Sequence, residues 1–392
     1  MRRAAAEFPA VLLTGPRQSG KTTSLRRVFA ATRYISLDPP DVARAAATDP
    51  RGFLGMYPPP VIFDEIQRAP ELLPYIKERI DEGRDQKGQF LLTGSANLLL
   101  SERVTESLAG RAAMLRLLPL SWREAAGQPN WPLAWEAGAT GPSLHLDARA
   151  LWERLLAGFY PEVVADPARD VALWHASYVQ TYLERDVRSL RQVGDLMQFH
   201  AFLTSLAARS GQLLNLAALG RDLGVATNTV KAWLSVLEAT YQVIILRPYF
   251  ANIGKRLVKT PKVYMADTGT LCHLMGLGDP EHAARGPMAG PIMETAVVGE
   301  IVKRFLHRGI EPRLFFWRTS LGEEVDLVVE TEGRLIPIEV KLSATPDPRM
   351  AGPITRFSRD FAGSVLPGYC IHPGKVRLPL GGGVTALPFL DL

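Results

Sequence analysis

Only two cysteines, Cys272 and Cys370, occur in 392 residues. They have no C-x-x-C spacing and no third or fourth companion, so neither a zinc centre nor a disulfide framework is indicated, and a reducing cytoplasm is the expected setting. Long apolar runs are also missing. The apolar segment that follows Arg2 and Arg3 is short, and no later run approaches the roughly 18 to 20 residues of a membrane span, so no membrane partner is expected. A large excess of one charge is missing too: a formal net charge of +5 and a pI of about 9.2 permit nucleic acid as a partner without demanding it. What is plentiful is length and apolar content. With 47% hydrophobic residues, the chain can build two to three cores rather than one.

Gly15-Pro16-Arg17-Gln18-Ser19-Gly20-Lys21-Thr22 is the most informative stretch. It follows the apolar run Ala10–Thr14 and precedes a segment, Thr23 to Ala30, with Leu25, Val28 and Phe29 on one helical face. Strand, glycine loop and helix form the phosphate-loop pattern G-x-x-x-x-G-K-[ST], whose backbone N–H groups and helix dipole favour anions. ATP is the expected cofactor, cradled by Gly15 through Thr23. Lys21 would reach the β- and γ-phosphates, and the Thr22 hydroxyl would hold Mg²⁺. Further strands are expected at Tyr34–Asp38, Val61–Glu65, Phe90–Thr93 and Met114–Leu118. They predict a parallel sheet with helices on both faces. Asp64 then supports the Mg²⁺ shell and Glu65 orients the attacking water. Ser95 or Asn97, after the fourth strand, could sense the γ-phosphate.

The segments GPRQSGKT, VIFDEIQR, LLTGSAN and LAGRAAMLRLLPLS resemble the AAA-type ATPase of a widespread prokaryotic family, in which the ATPase precedes a C-terminal region of uncharacterised function with a nuclease-like fold. The resemblance covers most of the chain. It implies a homo-oligomer in which an arginine, Arg103 or Arg111 here, reaches a neighbouring subunit's γ-phosphate. It also implies that the helical run around Tyr178–Val187 is a lid or connecting bundle. Arg185 there could reach a nucleotide, although its neighbours Glu184 and Asp186 suit a surface ion pair.

The stretch from Gly127 to Leu146 is rich in turn formers and reads as a linker. The expected division is an ATPase domain over 1–126, linker and helical lid over 127–209, a winged helix over 210–270 and a nuclease-like domain over 271–392. In the third part, Leu216–Gly224 and Thr227–Glu238 have helix-turn-helix spacing. Val230, Leu234 and Leu237 form the apolar stripe, while Thr227, Asn228 and Lys231 lie off it and are candidate DNA contacts. Lys255, Arg256, Lys259 and Lys262 place four cations in a basic wing that would neutralise phosphates.

In the last part, a helix carrying Glu294 and Glu300 precedes Glu323–Glu330 and Arg334–Lys341. Strand period two puts Glu339 and Lys341 on one face, with Asp326 beside them from the preceding strand. Acid, Asp, then Glu-x-Lys resembles the restriction-endonuclease-like superfamily PD-(D/E)xK. The resemblance implies that Asp326 and Glu339 bind a divalent cation, that Lys341 is catalytic and that Glu294 or Glu300 is the helix acid. Two functions follow: an ATPase that remodels or translocates duplex or branched DNA, with cleavage optional, or an ATP-controlled switch with a protein partner.

Overall fold

Strand β1, Ala10–Gly15, is buried along its whole length, which requires both faces of its sheet to be covered. Residues alternate between two cores accordingly. Ala10 and Leu12 join Val61, Phe63, Phe90 and Leu92 under the helix Leu72–Glu82, which contributes Leu72, Leu73, Ile76 and Ile80. Val11 and Leu13 face the other way, with Ile62, Leu91 and Leu25 of the phosphate-loop helix Lys21–Val28. The other strands are β2 (Arg33–Ser36), β3 (Val61–Asp64), β4 (Phe90–Ser95) and β5 (Ala112–Arg116). All pair in parallel, in the order β2-β3-β4-β1-β5. The parallel α/β architecture anticipated from the motifs is therefore present, and β4 separates the phosphate-loop strand from the strand ending in Asp64.

These observations come from a computed structural model that describes residues 1–95, 107–136, 144, 146–183, 196–249 and 259–392. The chain divides into two compact units. One comprises residues 1–119, 239–241 and 306–310, and the other residues 120–238, 242–305 and 311–392.

The second unit begins with helices, among them Ala148–Ala157, Val171–Tyr178 and Leu196–Ala207. Asn215 caps the helix Leu216–Leu223 through Ala218 N–H, and Gly224 ends it in the left-handed conformation. The helix Thr227–Ala239 follows. A Cβ on Gly220 would come within 2.9 Å of the Val225 carbonyl oxygen, so glycine lets the turn fold tightly onto the first helix. Trp233 packs its ring 5.6 Å from Phe199 and 5.4 Å from Phe202, sealing the apolar side of the second helix.

Strands β6 (Gln212–Leu213), β7 (Val243–Pro248) and β8 (Lys262–Met265) complete this winged-helix-like unit, with β8 antiparallel to both its neighbours. They do not end there. The edge of β7 pairs in parallel with β9 (Leu314–Arg318), and the sheet continues through β10 (Glu324–Thr331), β11 (Arg334–Val340), β12 (Gly368–His372), β14 (Val384–Pro388) and β13 (Leu378–Gly381). The expected divisions at 209/210 and 270/271 thus both fall inside one unit, and strands on either side of residue 270 share a sheet. Pairing β7 with β9 satisfies backbone groups that an open edge would expose. The helix Gly352–Asp360 covers β10 and β11 with Phe357, 5.4 Å from Trp317.

Candidate functional sites

The phosphate loop is built by a close approach of backbones. Gly15 has φ 153°, and a Cβ on it would lie 2.1 Å from the Leu117 carbonyl oxygen, because Leu117 N–H bonds the Thr14 carbonyl just beyond β5. Gln18 and Gly20 take positive φ values of 59° and 90°, curling the loop before Lys21 opens the helix. Lys21 is buried, and its Nζ donates to the carbonyl oxygens of Gly15 (3.1 Å) and Pro16 (2.7 Å). Its ammonium group is held at the loop, next to the first-turn N–H groups that have no intrahelical acceptor. Ser19 is buried in the loop, Pro16 is buried, Arg17 is half-buried and Thr23 is exposed.

Asp64 organises the other side. Its Oδ1 accepts the Thr22 hydroxyl (2.8 Å) and the Thr93 hydroxyl, and its Oδ2 accepts the Tyr34 hydroxyl (2.8 Å). Thr93 also accepts the Glu65 backbone N–H (3.0 Å). Glu65 itself adopts φ 60° and ψ 48°, a left-handed conformation uncommon for this residue type. Gln67 Nε2 donates to Glu65 Oε2. A hydroxyl beside a buried carboxylate, one step from the phosphate-loop lysine, is a donor set that fits Mg²⁺.

Neither Tyr34 nor Thr93 was anticipated. Thr93 had a signal, a polar residue closing an apolar strand, and the parallel register Phe63↔Leu92 carries it alongside Asp64. Tyr34 had none, because its reach to Asp64 depends on β2 lying beside β3. Burial, the Asp64 hydrogen bond and the Asp64 charge together raise the Tyr34 phenol to about 12.

Arg111 lies at the opposite end of the sheet. Ala112 pairs with Ala10, so Arg111 sits some five residues, ~17 Å, below the phosphate loop of its own chain. Its guanidinium forms two bonds with Asp81, Nε to Oδ1 at 2.7 Å and Nη2 to Oδ2 at 3.0 Å. The side chain of Ser95 and residues Asn97, Arg103, Arg185, Lys255 and Arg256 lie outside the described residues.

Thr227, Asn228 and Lys231 are exposed on the helix Thr227–Ala239, as the apolar stripe requires, and Lys259 is exposed. Lys262 is a correction. Expected as a wing cation on phosphates, it is only 3% exposed and points into a cluster of carboxylates. Its Nζ lies 2.9 Å from Glu294 Oε1, 2.6 Å from Glu324 Oε1 and 3.9 Å from Asp326 Oδ1. The reason is strand alternation: β8 is a buried inner strand, and its first residue turns toward the helix Ala289–Leu306 and β10.

The expected neighbours do converge there. Asp326 Oδ2 accepts Val340 N–H (2.9 Å), and Lys341 Nζ lies 2.5 Å from Glu339 Oε1. The helix acid is Glu294, which also accepts the Tyr264 hydroxyl (2.6 Å). Glu300 is elsewhere, accepting Trp122 N–H (2.6 Å). Glu324, bonded to Arg318 (2.9 Å), was missed. Burial and then the Asp326 charge push Glu294 up to about 7 and Glu339 to about 8. Burial alone would lower Lys262, but Glu294, Asp326 and Glu324 outweigh it and hold the ammonium charged. A cavity of about 540 Å³ opens beside Lys262, Glu294, Arg318, Glu324, Asp326 and Glu339. Among the described residues, no three His, Cys, Asp or Glu side chains have the spacing to hold a metal ion.

A phosphate loop on β1, a hydroxyl–carboxylate pair from the loop helix and β3, and a β2-β3-β4-β1-β5 parallel sheet define a P-loop ATPase domain, and residues 7–126 match the family described as an AAA domain. Residues 148–281 match a domain of unknown function (DUF8612) and residues 289–392 another (DUF4143). The chain belongs to the same family as the uncharacterized proteins Rv2008c of Mycobacterium tuberculosis and Mb2031c of Mycobacterium bovis, each 33% identical over 391 residues, with 99% of this chain and 82% of each relative covered. A solved structure, the Walker-type ATPase PABY2304 of Pyrococcus abyssi, is similar with a TM-score of 0.44 and 15% identity, over 70% of this chain and 93% of that one. Among the described residues no helix is long and apolar enough to cross a membrane.

Proposed function

We propose that this P-loop ATPase hydrolyses Mg²⁺-bound ATP to act on DNA held by its second unit, as a homo-oligomer. The observation that carries the hydrolytic part is the Thr22–Asp64 hydrogen bond beside Lys21. Lys21 would leave the Gly15 and Pro16 carbonyls for the β- and γ-phosphates. Thr22 and Asp64 would hold Mg²⁺, which draws charge from the phosphoryl oxygens. Glu65, at the end of β3, would take its place behind the γ-phosphate once freed from Gln67, and orient the attacking water. An arginine supplied in trans from position 111 would first have to leave its pair with Asp81.

The DNA part is supported by the exposed, polar start of the helix Thr227–Ala239, whose opposite face is sealed by Trp233. Thr227, Asn228, Lys231 and Lys259 would contact the duplex, together with Lys255 and Arg256. The nuclease-like reading of Asp326, Glu339 and Lys341 bears on cleavage, which this function does not require.

ATP turnover measured with no DNA and with single-stranded, duplex and forked DNA tests the reading. Lys21→Ala is expected to abolish nucleotide binding, and Glu65→Gln to keep binding while losing hydrolysis by ~10² or more. Lys231→Glu with Lys259→Glu should lower the salt slope of DNA binding by about two units. Unchanged turnover in Glu65→Gln would remove that residue from its role. DNA-independent turnover together with no measurable DNA binding would favour an ATP-controlled switch with a protein partner.

A further inference from the structure

We infer that Lys262 is the resident cation of the carboxylate cluster on β8, β10, β11 and the helix Ala289–Leu306, its ammonium group occupying the position that a divalent ion would take in a nuclease-like centre. The inference rests on the nuclease-like reading of this cluster, and its test is independent of DNA binding.

The distances are those of an ammonium ion. Nζ lies 2.6 Å and 2.9 Å from oxygens of Glu324 and Glu294, hydrogen-bond lengths for N⁺–H···O⁻ pairs. A bound Mg²⁺ or Mn²⁺ would need its oxygens gathered about one point at ~2.1 Å, and the lysine nitrogen stands between them. The carboxylates are also already committed to protein donors. Tyr264 donates to the same Glu294 oxygen, Arg318 pairs with the other oxygen of Glu324, Val340 N–H donates to Asp326 and Lys341 to Glu339. Lys262, Arg318 and Lys341 therefore answer Glu294, Glu324, Asp326 and Glu339, and little negative charge is left for a further cation. A divalent ion added to this set would overcompensate it.

A second observation marks the place as built for a ligand rather than merely acidic. Glu339 is 5% exposed, and its Oε2 is buried without a hydrogen-bond partner while the residue lines the cavity. An orphaned carboxylate oxygen is costly to bury. As they stand, these carboxylates do not have the spacing to hold a divalent ion, and the Lys262 ammonium keeps them apart. Removing that cation should let Glu294, Glu324 and Asp326 close on one.

The test is Mn²⁺ binding to the full chain without nucleotide, followed by electron paramagnetic resonance of free Mn²⁺. In the otherwise unchanged protein, Asp326→Asn should leave Mn²⁺ binding as it was, because Lys262 holds the place; this substitution keeps an acceptor for Val340 N–H. Lys262→Ala should gain one Mn²⁺ site at least about 10-fold tighter than any in the unsubstituted chain, and Lys262→Ala with Asp326→Asn should lose it again. Raised melting temperature on adding Mn²⁺ should likewise appear only in Lys262→Ala. If Lys262→Ala does not fold, Lys262→Met, which keeps the bulk of the side chain without its charge, is read the same way. A native site that weakens about 10-fold or more on Asp326→Asn would overturn the inference. So would a folded Lys262 variant that gains no Mn²⁺ site.

Discussion

Replacing Tyr34 by Phe deletes one oxygen from the ring of donors around Asp64 and leaves everything else. The Arg26 guanidinium, 4.8 Å above the ring, keeps its cation–π contact, and Asp64 Oδ1 keeps Thr22 and Thr93. What is lost is the 2.8 Å bond to Oδ2. A hydrogen bond to a charged group is worth about 1.5–3 kcal/mol. Tyr34 is only half-buried, so water replaces part of the loss, and a destabilisation of about 1–2 kcal/mol is expected. For a unit of this size that corresponds to a fall in melting temperature of roughly 4–10 °C. The functional effect is separable. With Oδ2 released, Asp64 can rotate away from Thr22, so Mg²⁺-dependent affinity for a fluorescent ATP analogue should fall about 10-fold, while binding in EDTA stays unchanged. A Tyr34→Phe protein that melts within about 1 °C of the parent and binds the Mg²⁺ complex equally well would refute the claim that Tyr34 positions Asp64.

Gly15→Ala places a Cβ against the Leu117 carbonyl at 2.1 Å and should cost at least about 2 kcal/mol; normal melting and nucleotide binding would show that β5 does not constrain the loop. The Glu339 carboxyl, pushed up to about 8 by burial and by Asp326, is protonated more readily in the native chain than in the unfolded one. Its contribution is therefore fully present below the ordinary carboxyl range near pH 4.5 and is lost as pH rises toward 8. Glu339→Gln, a permanent mimic of the neutral acid, should match the parent in denaturant unfolding at pH 5 and exceed it at pH 9. Equal stability at both pH values would contradict that assignment.

What the sequence determined by itself is local. The phosphate loop, Asp64 at a strand end and the helix-turn-helix spacing are set by residues within a few positions of one another, where backbone geometry, glycine freedom and helical or strand period act directly. The parallel sheet followed from them, because an apolar run covered on both faces needs helical crossovers. Glu339 and Lys341 shared a face for the same reason, through period two. What only the tertiary structure decided is which distant segments meet. Lys262 reads as a wing cation beside Lys259, and nothing within its own strand says otherwise. Its placement depends on β7 pairing with β9 across some 70 residues, which carries β8 into the same sheet as β10 and brings Lys262 to Glu294 and Glu324. Tyr34 meets Asp64 through the β2–β3 register, and the choice of Glu294 over Glu300 depends on how the helix Ala289–Leu306 is rotated against β8. Strand order and helix rotation are settled by the burial of whole faces. A partner's identity therefore becomes legible only once the sheet is assembled.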